Sequence, residues 1–278
     1  MTSEREFVLI TGASKGFGRA IAIELASRKH NLLLLSLKNE GLEMLCQQIR
    51  NLHQVEVNFL EVDFMKSDTI DLIKEWAKQF KINILVNNAG LGGTKKFHTS
   101  KISYIERIIQ INIRTVAVLT HTLLPQLMQN EEAYVLNIAS MAAFSPIGYK
   151  TVYPASKAFI YSFSRGLSEE LRGTGVSVTV IFPGPIRTNS EIISRIEKQG
   201  WWVHAGLQSP EKLAKIAINN LLKRRKVIVP GVINKINWLM IKIIPPRILI
   251  PMVSKRIKNE IAEKTNPKDI TGKSAQTN

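Results

Sequence analysis

Phe7-Val8-Leu9-Ile10-Thr11-Gly12-Ala13-Ser14-Lys15-Gly16-Phe17-Gly18 is a short apolar run that ends in a glycine-rich turn, and a helix-length segment, Ala20 to Arg28, follows it. An apolar run of this length bounded by a glycine turn reads as a buried strand. The turn after it has the features of a phosphate cradle. Glycine adopts positive φ and, lacking Cβ, lets the backbone approach a pyrophosphate. The start of a helix adds partial positive charge at the same place. The spacing is G-x-x-x-G-x-G. A tight turn kept glycine-rich for packing is the other reading of these residues.

The same alternation continues along the chain. Strand-like runs occur at Leu32 to Leu35, Val55 to Val62, Ile82 to Val86, Tyr134 to Ile138, Val176 to Phe182 and Val227 to Val229. Helix-length segments lie between them at Leu42 to Arg50, Thr69 to Phe80, Tyr104 to Met128 and Ser156 to Arg172. Strand and helix in strict alternation mean parallel strands with crossover helices. Right-handed crossovers place helices on both faces of an open sheet. The expected fold is therefore α/β, a doubly wound parallel sheet of Rossmann type with a C-terminal helical extension. Such a sheet binds ligands at the carboxyl ends of its strands. Residues 1–231 are expected to form the dinucleotide-binding and catalytic domain, 232–265 an apolar and basic helical extension of it, and 266–278 a frayed tail.

Composition narrows the function classes. The 278 residues are 45% hydrophobic, enough for a sizeable core. No apolar run reaches the roughly 18–20 residues that span a bilayer. Met1 to Phe7 has no signal-peptide design. The single cysteine, Cys46, excludes an intrachain disulfide and suits a reducing cytoplasm. The formal charge of +16 is concentrated in the last third: Lys212, Lys215, Lys223-Arg224-Arg225-Lys226, Lys235, Lys242, Arg247, Lys255-Arg256 and Lys258. No nucleic-acid-binding signature accompanies it. A solvated basic surface, an anionic cofactor or an anionic membrane remain as readings. No Cys/His/Asp cluster has metal-ligand spacing, so no metal is expected.

The nucleotide can be argued from charge. An acid at the end of the second strand would hold the ribose hydroxyls of NAD. Leu34-Leu35-Ser36-Leu37-Lys38-Asn39 contains none. Lys38 lies just past that strand and Lys15 inside the glycine loop, so a 2′-phosphate, and hence NADP(H), is expected. Either lysine alone reads as a surface charge. Further on, Tyr153-Pro154-Ala155-Ser156-Lys157 places a phenol and an ammonium on one helix face. A neighbouring cation favours phenolate, which would lower the tyrosine pKa toward working pH. Ser140 ends the fifth strand, where a site residue belongs.

With these residues in view the chain resembles the short-chain dehydrogenase/reductase family over roughly residues 7 to 230. The loop Thr11 to Gly18, Asn87-Asn88-Ala89-Gly90, Asn112, Ser140, Tyr153 with Lys157, and Pro183-Gly184 stand in that family's order and spacing. The resemblance implies that Tyr153 is the general acid/base, that Lys157 tunes it and binds nicotinamide-ribose hydroxyls, and that Ser140 holds the substrate oxygen. It implies that Asn112 holds a water linked to Lys157. For the cofactor it implies Thr11, Gly12, Ser14, Lys15, Gly16, Phe17 and Gly18 in the loop, Lys38 beside it, and Asp63, Asn88, Ala89 and Gly90 at the adenosine side. Pro183, Gly184, Ile186 and Thr188 would serve the nicotinamide end. Asn87 reads as a sheet-stabilising residue, Asp63 also as a helix-cap-type residue, and Thr188 also as an N-cap. The implied activity is hydride transfer between nicotinamide and a ketone/alcohol pair, by a homo-oligomer, dimer or tetramer.

The substrate side is expected after Thr188. There Glu191-Ile192-Ile193 and Gly200-Trp201-Trp202-Val203-His204-Ala205-Gly206 suit a hinged apolar lid, or a packing surface. Phe144, Ile147 and Tyr149 would form the opposite wall. An apolar or lipid-like substrate follows from these and from a weak likeness of the segment after Val229 to a subgroup of broad or unassigned substrates. Ile233 to Ile261 reads as two apolar helices broken at Pro245-Pro246, carrying cations on other faces. It is expected to cover the active-site mouth or a subunit contact, with peripheral membrane attachment as the alternative. A non-catalytic NADP-binding sensor is the alternative to an enzyme; the full Ser140, Tyr153 and Lys157 set argues against it.

Overall fold

The computed structural model describes residues 5–187 and 206–264. Seven strands form one sheet: β1 (Glu6–Thr11), β2 (Asn31–Ser36), β3 (Val57–Glu61), β4 (Lys81–Asn87), β5 (Ala133–Ile138), β6 (Val176–Ile181) and β7 (Val227–Ile228). Their order is β3-β2-β1-β4-β5-β6-β7 and every pairing is parallel. The order reverses between β1 and β4, which opens a crevice at their carboxyl ends.

A sheet covered on both faces needs strands that are apolar throughout. Here the two-residue period sorts them. Val8, Ile10, Leu32 and Leu34 enter the core under α1 (Gly16–Ser27), α2 (Leu42–His53) and α7 (Pro210–Leu221). Phe7, Leu9, Leu33 and Leu35 enter the opposite core, with α3 (Thr69–Ala77) and α5 (Thr115–Leu127). The doubly wound expectation holds. Cys46 lies in the first core, where burial pushes its thiol up to about 11, so it stays an unreactive thiol. Among the described residues no helix is long and apolar enough to cross a membrane.

Three segments differ from their sequence-based outline. The expected helix from Tyr104 to Met128 is α4 (Ile102–Ile109), a π-helical turn over Gln110–Arg114, and then α5. The widened turn leaves the Gln110 carbonyl to accept from the Thr115 hydroxyl at 2.9 Å. Next, α6 (Val152–Glu170) begins before Tyr153 rather than at Ser156, because Pro154 is tolerated in a first turn. Finally, α8 (Val232–Ile243) and α9 (Pro246–Lys264) break at Ile244-Pro245, with Pro246 as the first residue of the new helix. Both fold back on the domain. Asn234, buried, packs at Gly184, and Ser254 Oγ accepts from Gly148 N at 2.8 Å. The tail 266–278 lies outside the described residues.

A buried polar chain fastens the sheet's centre to its helices. Asn87 Nδ2 donates to Thr120 Oγ1 (2.9 Å) on α5 and to Asn137 Oδ1 (2.8 Å) on β5. Asn137 Nδ2 in turn donates to Ser164 Oγ (2.9 Å) on α6. Asn87→Ala strands two of these partners in the dry interior. It should lower stability by about 1–3 kcal/mol, read as an earlier midpoint in equilibrium urea unfolding. An unchanged midpoint would remove Asn87 from the account of the sheet.

Candidate active site

The crevice is closed at its base by contacts between the ends of β1 and β4. Thr11 Oγ1 accepts from the backbone N–H groups of Asn88 (3.0 Å) and Ala89 (2.9 Å). Asn88 Nδ2 donates back to the carbonyls of Thr11 (2.9 Å) and Gly12 (3.0 Å). The Asn88 side chain therefore fixes the shape of the loop. Glycine is required at two points. Gly12 has φ +65°, and a Cβ on Gly18 would stand 2.2 Å from the Gly12 carbonyl oxygen. The Phe17 ring lies in the core, so its backbone is what it can offer a ligand. Gly16 starts α1 and Lys15 is its N-cap residue, which aims the helix N-terminus along the loop.

The charges beside this loop differ from the expectation. Leu34 to Asn39 holds no acid, but Glu40 follows directly. Left-handed backbone at Asn39 (φ 63°) and Gly41 (φ 75°) turns it back toward the loop. Its carboxylate accepts from Ser14 Oγ at 2.7 Å and pairs with Lys15 Nζ at 3.1 Å. The Ser14 hydrogen bond first, and Lys15 after it, hold the Glu40 carboxyl below its ordinary pKa. Lys38 is exposed at the end of β2. An acid does accompany the two lysines, and only the backbone turn reveals it.

The catalytic candidates converge at the ends of β4 and β5. Ser140 follows β5, and its Oγ accepts from Ala142 N at 3.2 Å, which caps the 3-10 turn Met141–Phe144. The Ser140 hydroxyl beside the Tyr153 phenol favours phenolate. Burial of the phenol end outweighs that influence, and the Tyr153 pKa lies above its ordinary value. The expected depression is therefore not what this structure shows. Lys157 Nζ sits 5.9 Å from the Tyr153 ring centroid and donates to the Ile138 carbonyl at 2.9 Å. Its ammonium is buried, and burial lowers its pKa from 10.5 to about 8.

Asn112, fully buried, stands in the π-helical turn. Its carboxamide accepts from Leu91 N (2.8 Å) and donates to Leu91 O (2.8 Å) and Ser156 Oγ (2.9 Å). It ties the loop after β4 to α6. A Cβ on Gly90 would reach 3.3 Å from Lys157 Nζ and 3.4 Å from Asn112 Oδ1. Glycine there keeps the space above the ammonium open. π-helical turns recur at functional sites, but no sequence period announces one.

The remaining candidates lie around this centre. Asp63 Oδ1 accepts from Met65 N at 2.9 Å, so its carboxylate organises its own turn. Pro183 O accepts from Met141 N at 3.0 Å, and Ile186 pairs with Gln208. Gly184 faces Asn234, whose carboxamide atoms stand 2.7 Å from where a Cβ would be. Thr188, Glu191 to Ile193, Trp201, Trp202 and His204 lie outside the described residues. Sequence reasoning missed Glu40, Ser156 and Asn234. Asn234 carried no signal at all, because its partner Gly184 lies 50 positions away. Among the described residues no group of acids, histidines or cysteines is arranged for a metal.

Comparison with known proteins identifies the family and the fold. The short chain dehydrogenase family model matches residues 6–199. The chain is 32% identical over 218 residues to hydroxysteroid dehydrogenase-like protein 1 of Gallus gallus, covering 77% of this chain and 65% of that protein. It is 30% identical over 220 residues to the very-long-chain 3-oxoacyl-CoA reductase of Homo sapiens, covering 78% and 68%. The matched region thus spans about two thirds of these relatives' length. Among solved structures it resembles a 7beta-hydroxysteroid dehydrogenase, with a TM-score of 0.77, 26% identity and coverage of 84% and 90%. It also resembles a short-chain dehydrogenase from Sphingobium yanoikuyae in complex with NADPH, with a TM-score of 0.73, 25% identity and coverage of 98% for both chains.

The depressed lysine has a signature in stability. Unfolding returns Lys157 from about 8 to its ordinary 10.5. Between those values the unfolded chain holds a proton that the folded chain has released, so this group's contribution to stability rises with pH there. The slope approaches about 1.4 kcal/mol per pH unit for one proton. The difference in unfolding free energy between wild type and Lys157→Met should therefore shift in favour of wild type from pH 8 to pH 10. A difference independent of pH would contradict the assignment.

Proposed function

The chain belongs to the short-chain dehydrogenase family, and we propose that within it the protein is an NADPH-dependent carbonyl reductase for an apolar, lipid-like ketone. Oxidoreductase chemistry on hydroxyl and keto groups is what membership brings. The observation that carries the reading is the set of half-buried Ser140 and Tyr153 with buried Lys157 at the strand ends, beside a loop that leaves no room for a Cβ at Gly12 or Gly18.

The residues present fit a dinucleotide. Gly12 and Gly18 leave backbone where a Cβ would intrude, and Gly90 leaves space above Lys157. Thr11, Gly12, Ser14, Lys15 and Gly16 would hold the phosphates. Asn88, Ala89 and Gly90 would shape the middle of the site, and Pro183, Gly184 and Ile186 its far end. When bound, the nicotinamide supplies the hydride that reaches the carbonyl carbon. Ser140 then donates a hydrogen bond to the carbonyl oxygen, where negative charge develops. Tyr153 delivers its proton to that oxygen. Because its phenol is held protonated by burial, it is a proton donor at neutral pH, which suits reduction. The Lys157 ammonium, one helical turn away, stabilises the phenolate left behind.

Two features support the cofactor and substrate classes. Lys15 at the loop and Lys38 beyond β2 suit a 2′-phosphate, with Glu40 as its competitor for Lys15. Phe144, Tyr161, Phe182 and Trp238 pack as an aromatic cluster behind the turn that begins at Ser140, with Phe144 and Phe182 centroids 4.4 Å apart, an apolar surround that suits an apolar ligand. Relatives named for steroids and very-long-chain acyl groups point to a similar ligand.

The test is NADPH oxidation across ketones, hydroxysteroid-type ketones and 3-oxoacyl thioesters. Tyr153→Phe should lower turnover at least about 10²–10⁴-fold with cofactor affinity nearly intact. A phenylalanine variant that keeps most activity would refute the mechanism. Wild type should bind NADPH more tightly than NADH, and Lys38→Asp should erase that preference. Glu40→Gln should strengthen it by a few-fold, the scale of an exposed ion pair of about 0–1 kcal/mol. Equal wild-type affinities would assign the cofactor otherwise.

A further inference from the structure

The outer face of α8 has no protein partner among the described residues. Val232, Ile236, Leu239, Met240 and Ile243 recur along it at helical spacing. They are 73%, 50%, 55%, 49% and 70% exposed. Ile248 and Met252, one turn apart on α9, extend the apolar surface at 55% and 57%. Monomeric proteins rarely leave so continuous an apolar surface in water. The inner face of α8 is engaged. Asn234 is buried at Gly184, and Trp238 stacks edge-on against Phe144 with centroids 6.2 Å apart. The helix therefore rests on the Met141–Phe144 turn that begins at Ser140, and its free side points away from that turn.

Charge selects what covers this side. From Val232 to Asn259 the chain carries Lys235, Lys242, Arg247, Lys255, Arg256 and Lys258 and no acid. All six are exposed. A second copy related by a twofold axis would bring six cations against the same six. An apolar stripe flanked by cations is the composition of a helix that lies in the headgroup plane of an anionic membrane. Lys242 shows the geometry at one point, its ammonium 3.7 Å from the Trp238 ring centroid at the edge of the stripe.

We propose that α8 and the start of α9 dock on an anionic lipid surface, with Ile236, Leu239, Met240, Ile243, Ile248 and Met252 entering the acyl boundary and the surrounding cations meeting the headgroups. Docking brings the helix that rests on the Met141–Phe144 turn, and with it the Ser140 side of the domain, to the bilayer surface. The docking face stands independently of the catalytic reading, since none of its residues belongs to the chemistry.

The experiment is co-sedimentation of the full chain with phosphatidylcholine vesicles, with and without phosphatidylserine. Turnover of a water-soluble ketone is measured in parallel. Wild type should sediment with the phosphatidylserine vesicles, stay in solution with phosphatidylcholine alone, and be released by salt. Lys235→Ala with Lys255→Ala should weaken binding about 25-fold, at about fivefold per cation. Ile236→Asp with Ile243→Asp should abolish it, and both double variants should keep soluble turnover. Wild type that remains in solution with phosphatidylserine vesicles overturns the proposal, as does binding indifferent to the lysine changes. A wild-type dimer that Ile236→Asp with Ile243→Asp converts to monomer, without vesicle binding by either, assigns the face to a second copy and overturns it too. Loss of turnover in every form with docking intact would count against the reductase alone.

Discussion

An ammonium ion loses its hydration when it is taken into a protein, and the loss is tolerated only where something replaces the water. Lys157 is 5% exposed, and the Ile138 carbonyl accepts one of its three N–H bonds. Burial alone brings the group down to about 8. The same low-polarity surroundings raise the Tyr153 phenol. Two groups one helical turn apart are thus pushed in opposite directions on the pH scale. Near neutrality both keep their protons, and the site can give one from the phenol while the ammonium awaits the charge left behind.

This pair depends on how firmly α6 is held. Ser156 meets Asn112 from the π-helical turn, Lys157 meets Ile138 at the end of β5, and Ser164 meets Asn137 within β5. Asn137 continues to Asn87 and so to β4. One line of buried hydrogen bonds therefore runs from the helix that carries Tyr153 into the two central strands. From β4 the contacts pass to the glycine loop through Asn88 and Thr11. The catalytic helix and the cofactor cradle are parts of one polar framework inside an otherwise apolar core.

Much of this was legible in the residues. The alternation of strand and helix said that both faces of the sheet are covered, and the glycine loop placed the crevice. Tyr153 and Lys157 declared their shared face by spacing. What stayed hidden depended on backbone geometry or on distant partners. Glu40 is one residue beyond the run in which an acid was sought, and left-handed turns at Asn39 and Gly41 swing it to Ser14 and Lys15. Asn112 was named through the family resemblance alone, and its π-helical turn stayed hidden because such a turn inserts no mark in the hydrophobic period. The sign of the Tyr153 shift was read from its cation alone, whereas desolvation, which sequence does not report, is larger.

The acid/base pair depends on a lysine that titrates well below its ordinary range because the fold buries it. Lysine side-chain nitrogen NMR on the unliganded full chain reads that titration directly, with Lys157→Met supplying the assignment. A resonance that is lost in the variant and titrates near 8 in wild type is the predicted result. A Lys157 resonance that titrates at 10.5, like a lysine in water, would contradict the buried ammonium and the acid/base chemistry built on it.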